Sequence, residues 1–445
     1  MFRKVLVANR GEIALRVIRA CREMGILSVA VHSDVDAEAP HARFADEAVC
    51  IGPAPASASY LNVPALIAAA EVTGADAVHP GYGFLSENAE FADTCARCGL
   101  TFIGPRPEDM ERWGDKVRAR AFAKELGIPL MEGSAALRDT DAAVRAAEAV
   151  GYPVMLKAAG GGGGRGMKVL RSSGEVRRVF AQARNEAIAA FANGDLYVER
   201  FIEEPRHIEL QVLSDGRGRV VVLGERECSI QRRHQKILEE APSPAVSEEL
   251  RADLSQTVQR AIRDSGYVSA GTVEMLMDER GQMTFMEMNT RIQVEHPVTE
   301  LVTGIDLVVE QIRVAAGEPI EFPTEHAKPR GHAIECRINA EDPVTFAPRP
   351  GRITEYHAPS GPWVRTDSGV MAGFRVPSAY DSLLAKVITH GATRDQAIAR
   401  MERALAETVV GGIPTNLPLH RRILADPDFR AGKLSTRFLE RLGRG

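Results

Sequence analysis

Five consecutive glycines, Gly160–Gly164, followed by Arg165 and Gly166, constrain this chain more than any other stretch. They separate two apolar segments, Tyr152–Ala158 and Met167–Arg171, that are predicted to be strands. Strand, glycine loop and strand make a hairpin flap. In a Walker-type phosphate loop the glycines instead open a helix and a Gly-Lys-Ser/Thr follows, a tripeptide this sequence lacks. Glycine lets backbone amides approach a polyphosphate and tolerates positive φ. Ordering the run costs roughly 2.5–5 kcal/mol relative to alanine. The flap is therefore expected to close only over a ligand whose contacts offset that entropy. Lys157 and Arg165 beside the run favour a ligand-binding flap over a loose hairpin tip.

At 445 residues the chain can hold about three domains. With 44% apolar and 26% charged residues it reads as globular, and a net charge of −5 argues against nucleic acid as the main partner. No apolar run approaches the roughly 18 residues of a membrane span. Val5–Ala8 is too short for a signal-peptide core, so no membrane association and a cytoplasmic location are expected. The six cysteines are scattered, as reduced thiols are, and Cys95-x-x-Cys98 has no second pair at zinc spacing.

Residues 1–112 alternate strand and helix. Lys4–Ala8 is followed by Ile13, Val17, Cys21 and Met24 at helical spacing, Gly25 as a stop, and the strand Leu27–Val31. Pro64 opens another helix before Ala75–Val78, and a third precedes Thr101–Ile103. This rhythm predicts a mostly parallel, Rossmann-like sheet, although the turn Asn9–Glu12 lacks a dinucleotide fingerprint. The segment HPGYGFLSEN, 79–88, follows a strand's C-terminal end, where open α/β sheets carry ligand loops. Residues 113–330 mix helices with hairpins and include a small α+β lid, 133–203, that bears the flap. Residues 331–445 open with a strand, become Pro/Gly-rich around 348–377 and end in helices after Thr393.

Glu287, Asn289, Arg291, Gln293 and Glu295 alternate with Met288, Thr290, Ile292 and Val294. An extended segment would place those five polar side chains on one face. Gly271–Met277 and Met283–Asn289 read as a hairpin about Arg280-Gly281, with Glu274 opposite Glu287. Cross-strand Cβ atoms lie roughly 5 Å apart, and two carboxylates there repel by about 3 kcal/mol at an effective dielectric near 20. A hard cation would reverse that sign, with Asn289 as a third oxygen donor. His207, Glu209 and Gln211 alternate against Ile208, Leu210 and Val212. Glu335, Arg337 and Asn339 do so against Ile334, Cys336 and Ile338. Three such strands are expected to wall one wet cleft. The basic cluster Arg232, Arg233, His234 and Lys236 could bind an oxyanion beside it.

VANRGEIA (7–14), HPGYGFLSEN (79–88), KAAGGGGGRGM (157–167), QRRHQK (231–236) and MNTRIQVEHPVTE (288–300), in this order, resemble the biotin carboxylases, an ATP-grasp family, over essentially the whole chain. The resemblance implies an ATP-grasp fold of three parts, 1–112, 113–330 and 331–445. It implies that ATP phosphorylates bicarbonate to carboxyphosphate, whose CO₂ passes to biotin on a carrier protein. For nucleotide, Lys116, Lys157, Gly163, Gly164, Glu199, Arg200, Ile202, His207, Gln231, His234, Glu274 and Glu287 match the family's positions. Arg200 stands where some members have lysine. Glu274, Glu287 and Asn289 match its Mg²⁺ or Mn²⁺ ligands. Lys236, Arg291, Gln293 and the Val294 backbone match the bicarbonate cradle. Glu295 matches the base and Arg337 the cation facing the biotin ureido oxygen, while Tyr82 and Gly83 match the loop beside the biotin ring.

No biotinylation motif is found in the sequence, its one Met-Lys pair being Met167-Lys168, so carrier and carboxyltransferase are expected on separate chains. The resemblance implies a homodimer. Acetyl-CoA carboxylase, feeding malonyl-CoA and fatty acid synthesis, is the expected setting, with a propionyl-CoA or pyruvate carboxylase as alternatives. An ATP-grasp carboxylate–amine ligase and a nucleotide-binding subunit without turnover are the competing classes. The set Arg291, Gln293, Glu295 and Arg337 speaks against the first, and the retained metal ligands and phosphate lysines against the second.

Overall fold

Short apolar runs separated by amphipathic helices build the first layer. A computed structural model describes residues 1–160, 166–191, 193–322 and 328–443; Gly163 and Gly164 lie outside the described residues. Strands β1 (Lys4–Val7), β2 (Leu27–Ser33), β3 (Glu47–Gly52), β4 (Ala77–His79) and β5 (Thr101–Phe102) form a parallel sheet in the order β3-β2-β1-β4-β5. The sequence reading missed β3. It is an edge strand in which Ile51 alone is buried, so it carries little apolar signal. Helices Gly11–Glu23 and Val63–Thr73 cover the sheet, Val17, Ile18 and Cys21 packing on one face and Leu66, Ile67 and Ala70 on the other.

A separate three-stranded sheet within the expected lid contains β6 (Val154–Ala158), β7 (Met167–Leu170) and β8 (Leu196–Arg200), backed by helices Thr140–Val150 and Ser173–Phe191. Strands β6 and β7, on either side of the glycine run, pair antiparallel up to Lys157 opposite Met167, as expected of the two arms of a hairpin; residues 161–165 lie outside the described residues.

The rest of the chain is organised by one eight-stranded sheet. Its members in sequence are β9 (Arg206–Asp215), β10 (Val220–Arg232), β11 (Gln235–Ala241), β12 (Val268–Met277), β13 (Met283–Asn289) and β14 (His332–Asn339). Short pairs β15 (Gly351–Arg352) with β18 (Arg375–Val376) and β16 (Glu355–His357) with β20 (Val409–Gly411) flank two further members, β17 (Val364–Ser368) and β19 (Leu383–Gly391). The order is β13-β12-β9-β10-β11-β14-β19-β17. Ile208, Leu210, Val273 and Met275 pack against helix Glu248–Ser265, and Ile334, Cys336 and Ile338 against helices Arg394–Glu407 and Leu417–Ala425. The alternating polar residues therefore share the opposite face. The three expected cleft walls are parts of one sheet.

Candidate active site

Two-residue periodicity places the site. On β9, His207, Glu209 and Gln211 project from the polar face, and all three are buried. Their neighbours are Thr272 and Glu274 on β12, in register with Gln211 and Glu209. Glu274 also stands opposite Glu287 on β13, as expected, and Thr272 opposite Asn289. The polar face expected to run from Glu287 to Glu295 is interrupted. The strand ends at Asn289; residues 290–295 bend and turn into helix His296–Thr303, so Arg291, Gln293 and Glu295 do not continue one extended face. They reach the same centre from a turn.

Lys236 is the hub. Its ammonium contacts Glu209, lies 2.8 Å from Glu295 Oε1 and 3.1 Å from Glu274 Oε1. Burial alone would lower its pKa, but the three carboxylates raise it well above the usual lysine range. Burial alone would lift the Glu295 carboxyl; Lys236, Arg337 and Arg226 outweigh it and hold Glu295 below the ordinary value. Glu274 is likewise held low against its burial by Lys236 and His207. His207 sits 3.1 Å from Glu274 and 3.2 Å from Glu209, and these carboxylates override burial to push its pKa up to about 9. Its Nδ1 lies 2.8 Å from the Gln231 amide nitrogen. Arg337 bridges Glu295 Oε2 at 2.9 Å and Glu239 Oε1 at 2.6 Å.

The segment after β13 closes the centre. Asn289 and Gln293 donate to Glu274 Oε1 at 2.8 and 3.3 Å. Arg291 donates to Asn289 Oδ1 at 3.2 Å and to Gln293 Oε1 at 3.0 Å. The Val294 carbonyl accepts from the fully buried Lys386 at 2.8 Å; Lys386 also pairs with Glu12 at 3.1 Å, and Glu12 accepts from the Tyr82 hydroxyl. The loop Tyr82–Gly83 thus joins the centre through Glu12 and Lys386.

Other expected residues lie further out. Lys116 begins helix Lys116–Glu125 and pairs with Glu287 at 2.9 Å. On β8, Glu199 pairs with Lys157 and with Arg120. Arg200 reaches Asp278 at 3.4 Å, and Ile202 follows in the connection to β9. His234 is exposed at the β10–β11 tip, where it and Arg233 hold φ of +66° and +49° as the two central residues of a hairpin turn. Among the described residues no hydrogen bond links Arg200, Ile202 or His234 to the Lys236 centre.

The donors Glu274, Glu287 and Asn289 are hard oxygens on adjoining strands, each now satisfied by a cationic or amide partner, which suits a Mg²⁺-type ion better than a thiophilic one. Sequence reading placed Glu209 on a cleft wall without a further role and assigned no site role to Glu12, Glu87, Arg226, Glu239 or Lys386. Arg226 has no exposed surface and grips Glu209 at 3.2 Å, Gln211 at 2.7 Å, Thr272 at 3.1 Å and Thr299 at 3.0 Å. The signal for Lys386 was present: a lone lysine in the apolar run Leu383–Ile388 demands a buried counter-charge.

Residues 1–110 match the family described as Biotin carboxylase, N-terminal domain, and residues 335–441 match Biotin carboxylase C-terminal domain. Residues 115–322 match Carbamoyl-phosphate synthase L chain, ATP binding domain. The biotin carboxylase of Haemophilus influenzae is 54% identical over 443 residues, 99% of each chain. The chain belongs to the biotin carboxylase family. As such it is a member of an ATP-dependent ligase family. A Campylobacter jejuni biotin carboxylase solved as a β-γ-ATP complex is similar at 45% identity and a TM-score of 0.95, covering 99% of both chains. The biotin carboxylase domain dimer of Hydrogenobacter thermophilus 2-oxoglutarate carboxylase, solved with MgADP, ADP and bicarbonate, is 48% identical with a TM-score of 0.94, covering 99% of this chain and 98% of that one. Among the described residues, no helix is long and apolar enough to cross a membrane.

Proposed function

We propose that this chain carboxylates biotin on a carrier protein, using ATP and bicarbonate. The supporting observation is the convergence of Lys236, Glu295, Arg337, Arg291 and Gln293 on one buried centre next to the Tyr82 loop. Lys236, Arg291, Gln293 and the Val294 backbone cradle bicarbonate. Glu295, kept ionised by Lys236 and Arg337, takes its proton while the bicarbonate oxygen attacks the γ-phosphorus and ADP leaves. Carboxyphosphate then gives CO₂ and phosphate. Phosphate takes the biotin N1′ proton as that nitrogen attacks CO₂, and Arg337 stabilises the negative charge on the ureido oxygen.

Lys116, Lys157, Glu199, Arg200, Ile202, His207, Gln231 and His234, with Gly163 and Gly164, form the nucleotide side. Glu274, Glu287 and Asn289 would hold Mg²⁺ or Mn²⁺, which when bound supplies neutralisation of the triphosphate charge. The lid, 133–203, belongs to an ATP-grasp unit spanning 113–330 between end domains 1–112 and 331–445. Similarity to a dimeric neighbour supports a homodimer. The free state of all six cysteines fits the cytoplasm. Carrier and carboxyltransferase are separate chains of an acetyl-CoA carboxylase.

The test is ADP release by the purified chain with ATP, Mg²⁺ and bicarbonate. Free biotin should stimulate it and become carboxylated, whereas amine acceptors should not. Stimulation by amines without carboxybiotin would identify a carboxylate–amine ligase instead.

A further inference from the structure

We propose that Glu87 is a positioning residue that fixes Arg291 for bicarbonate and ties its placement to the loop beside biotin. This rests on the function proposed above. Because β13 ends at Asn289, no ladder bond among the described residues fixes the backbone of residues 290–295. Glu87 supplies the missing restraint from a different domain. Its Oε1 accepts from the Thr290 amide at 3.0 Å and the Thr290 hydroxyl at 3.3 Å, while its Oε2 accepts from Arg291 Nε at 2.8 Å.

The division of the guanidinium matters. Glu87 takes the Nε edge, which sets the plane of the group. Among the described residues, the two Nη nitrogens donate only to the side chains of Asn289 and Gln293 and to the Ile292 carbonyl, all from the same short segment. Those bonds can be exchanged for the oxygens of an entering bicarbonate while the Nε anchor stays in place. Lysine could not divide its bonds this way.

Glu87 and Tyr82 share one loop, and that loop is held at both ends. Asn9 donates to the Pro80 and Tyr82 carbonyls at 2.7 and 2.8 Å, and Asn88 caps the next helix through the Phe91 amide at 2.7 Å. Between them the Ser86 amide donates to the Gly83 carbonyl at 2.9 Å, and Phe84, at φ +39°, stacks on Tyr60. A displacement of Tyr82 by an incoming ring is therefore passed to Glu87 and on to Arg291. The Glu87 side chain is 40% exposed, so the pair adds little to stability and its role should be legible in kinetics.

The experiment compares wild type, Glu87→Gln and Glu87→Asp for bicarbonate-dependent ADP release with and without free biotin. Glu87→Gln should raise the bicarbonate KM about tenfold, leave the ATP KM and Tm unchanged, and abolish most of the stimulation by biotin. Glu87→Asp should fall between. The double variant with Arg291→Lys should be little worse than Arg291→Lys alone. A wild-type bicarbonate KM with intact stimulation in Glu87→Gln would overturn the proposal, as would additive effects in the double variant. ATP and bicarbonate KM rising together with a lower Tm would overturn it too, by revealing a purely structural role. Absence of biotin-stimulated release in the wild type would instead reject the function on which it stands.

Discussion

Glu274 and Glu287 face one another across β12 and β13 because Met286 is bulged out of the ladder between them. Pairing runs regularly from Met277–Met283 to Met275–Phe285; one further regular step would set Met286 against Glu274 and turn Glu287 to the opposite face. The bulge restores the carboxylates to one surface.

That pairing gives the first prediction. Glu287→Gln should raise the Mg²⁺ concentration needed for ADP release at least as much as loss of an outer-shell partner, about 10–100-fold. A Mg²⁺ titration of turnover measures it. Wild-type turnover with Mg²⁺ below saturation would contradict the ligand assignment.

Lys236 is the shared counter-ion of Glu209, Glu274 and Glu295. Lys236→Met removes the counter-charge these three buried carboxylates share, leaving Glu209 to Arg226 and His207, Glu274 to His207, and Glu295 to Arg337. The cost should be about 3–5 kcal/mol, read from the urea midpoint. A midpoint equal to wild type would mean the cluster holds no charge.

Glu239 provides a pH test. Burial pushes its carboxyl up to about 7 from an ordinary 4.5, even though Arg337 pulls the other way. Between those values the folded chain retains a proton that the unfolded chain has released. Stability from this group is therefore full at low pH and declines as pH rises through about 7, by at most about 1.4 kcal/mol per pH unit. Glu239→Gln should flatten this part of the urea-midpoint profile between pH 5 and 7. An unchanged slope would place the titration elsewhere.

Arg337→Ala should separate the two half-steps. Bicarbonate-dependent ATP cleavage should persist at a reduced rate, while carboxybiotin formation should drop about 10²–10³-fold. Measuring ADP and carboxybiotin in the same reaction checks this; equal losses would remove the separate role for the guanidinium.

The sequence made the layers legible where periodicity is strong, as in Lys4–Val7, helix Gly11–Glu23 and the β6–β7 flap hairpin. It also exposed the alternating faces of β9, β14 and the end of β13, because apolar side chains on one side and polar ones on the other leave a period of two. Edge strand β3 stayed hidden, since a strand with one partner needs few apolar residues. The bend after Asn289 was invisible because alternation continues through residues that are no longer extended. The pairings of Glu87 with Arg291 and of Glu12 with Lys386 stayed hidden because the partners are far apart along the chain, and sequence spacing does not say which charges meet once domains pack.

Strands β11 and β14 pair from Leu238–Cys336 to Ala241–Ala333, so the large sheet runs without interruption from the central part of the chain into its final quarter. Severing the polypeptide near residue 330 would bare two sticky borders, and recombination between relatives that exchanged only that last quarter would have to remake the seam strand by strand. Inheritance of these two parts as an indivisible block follows from the join.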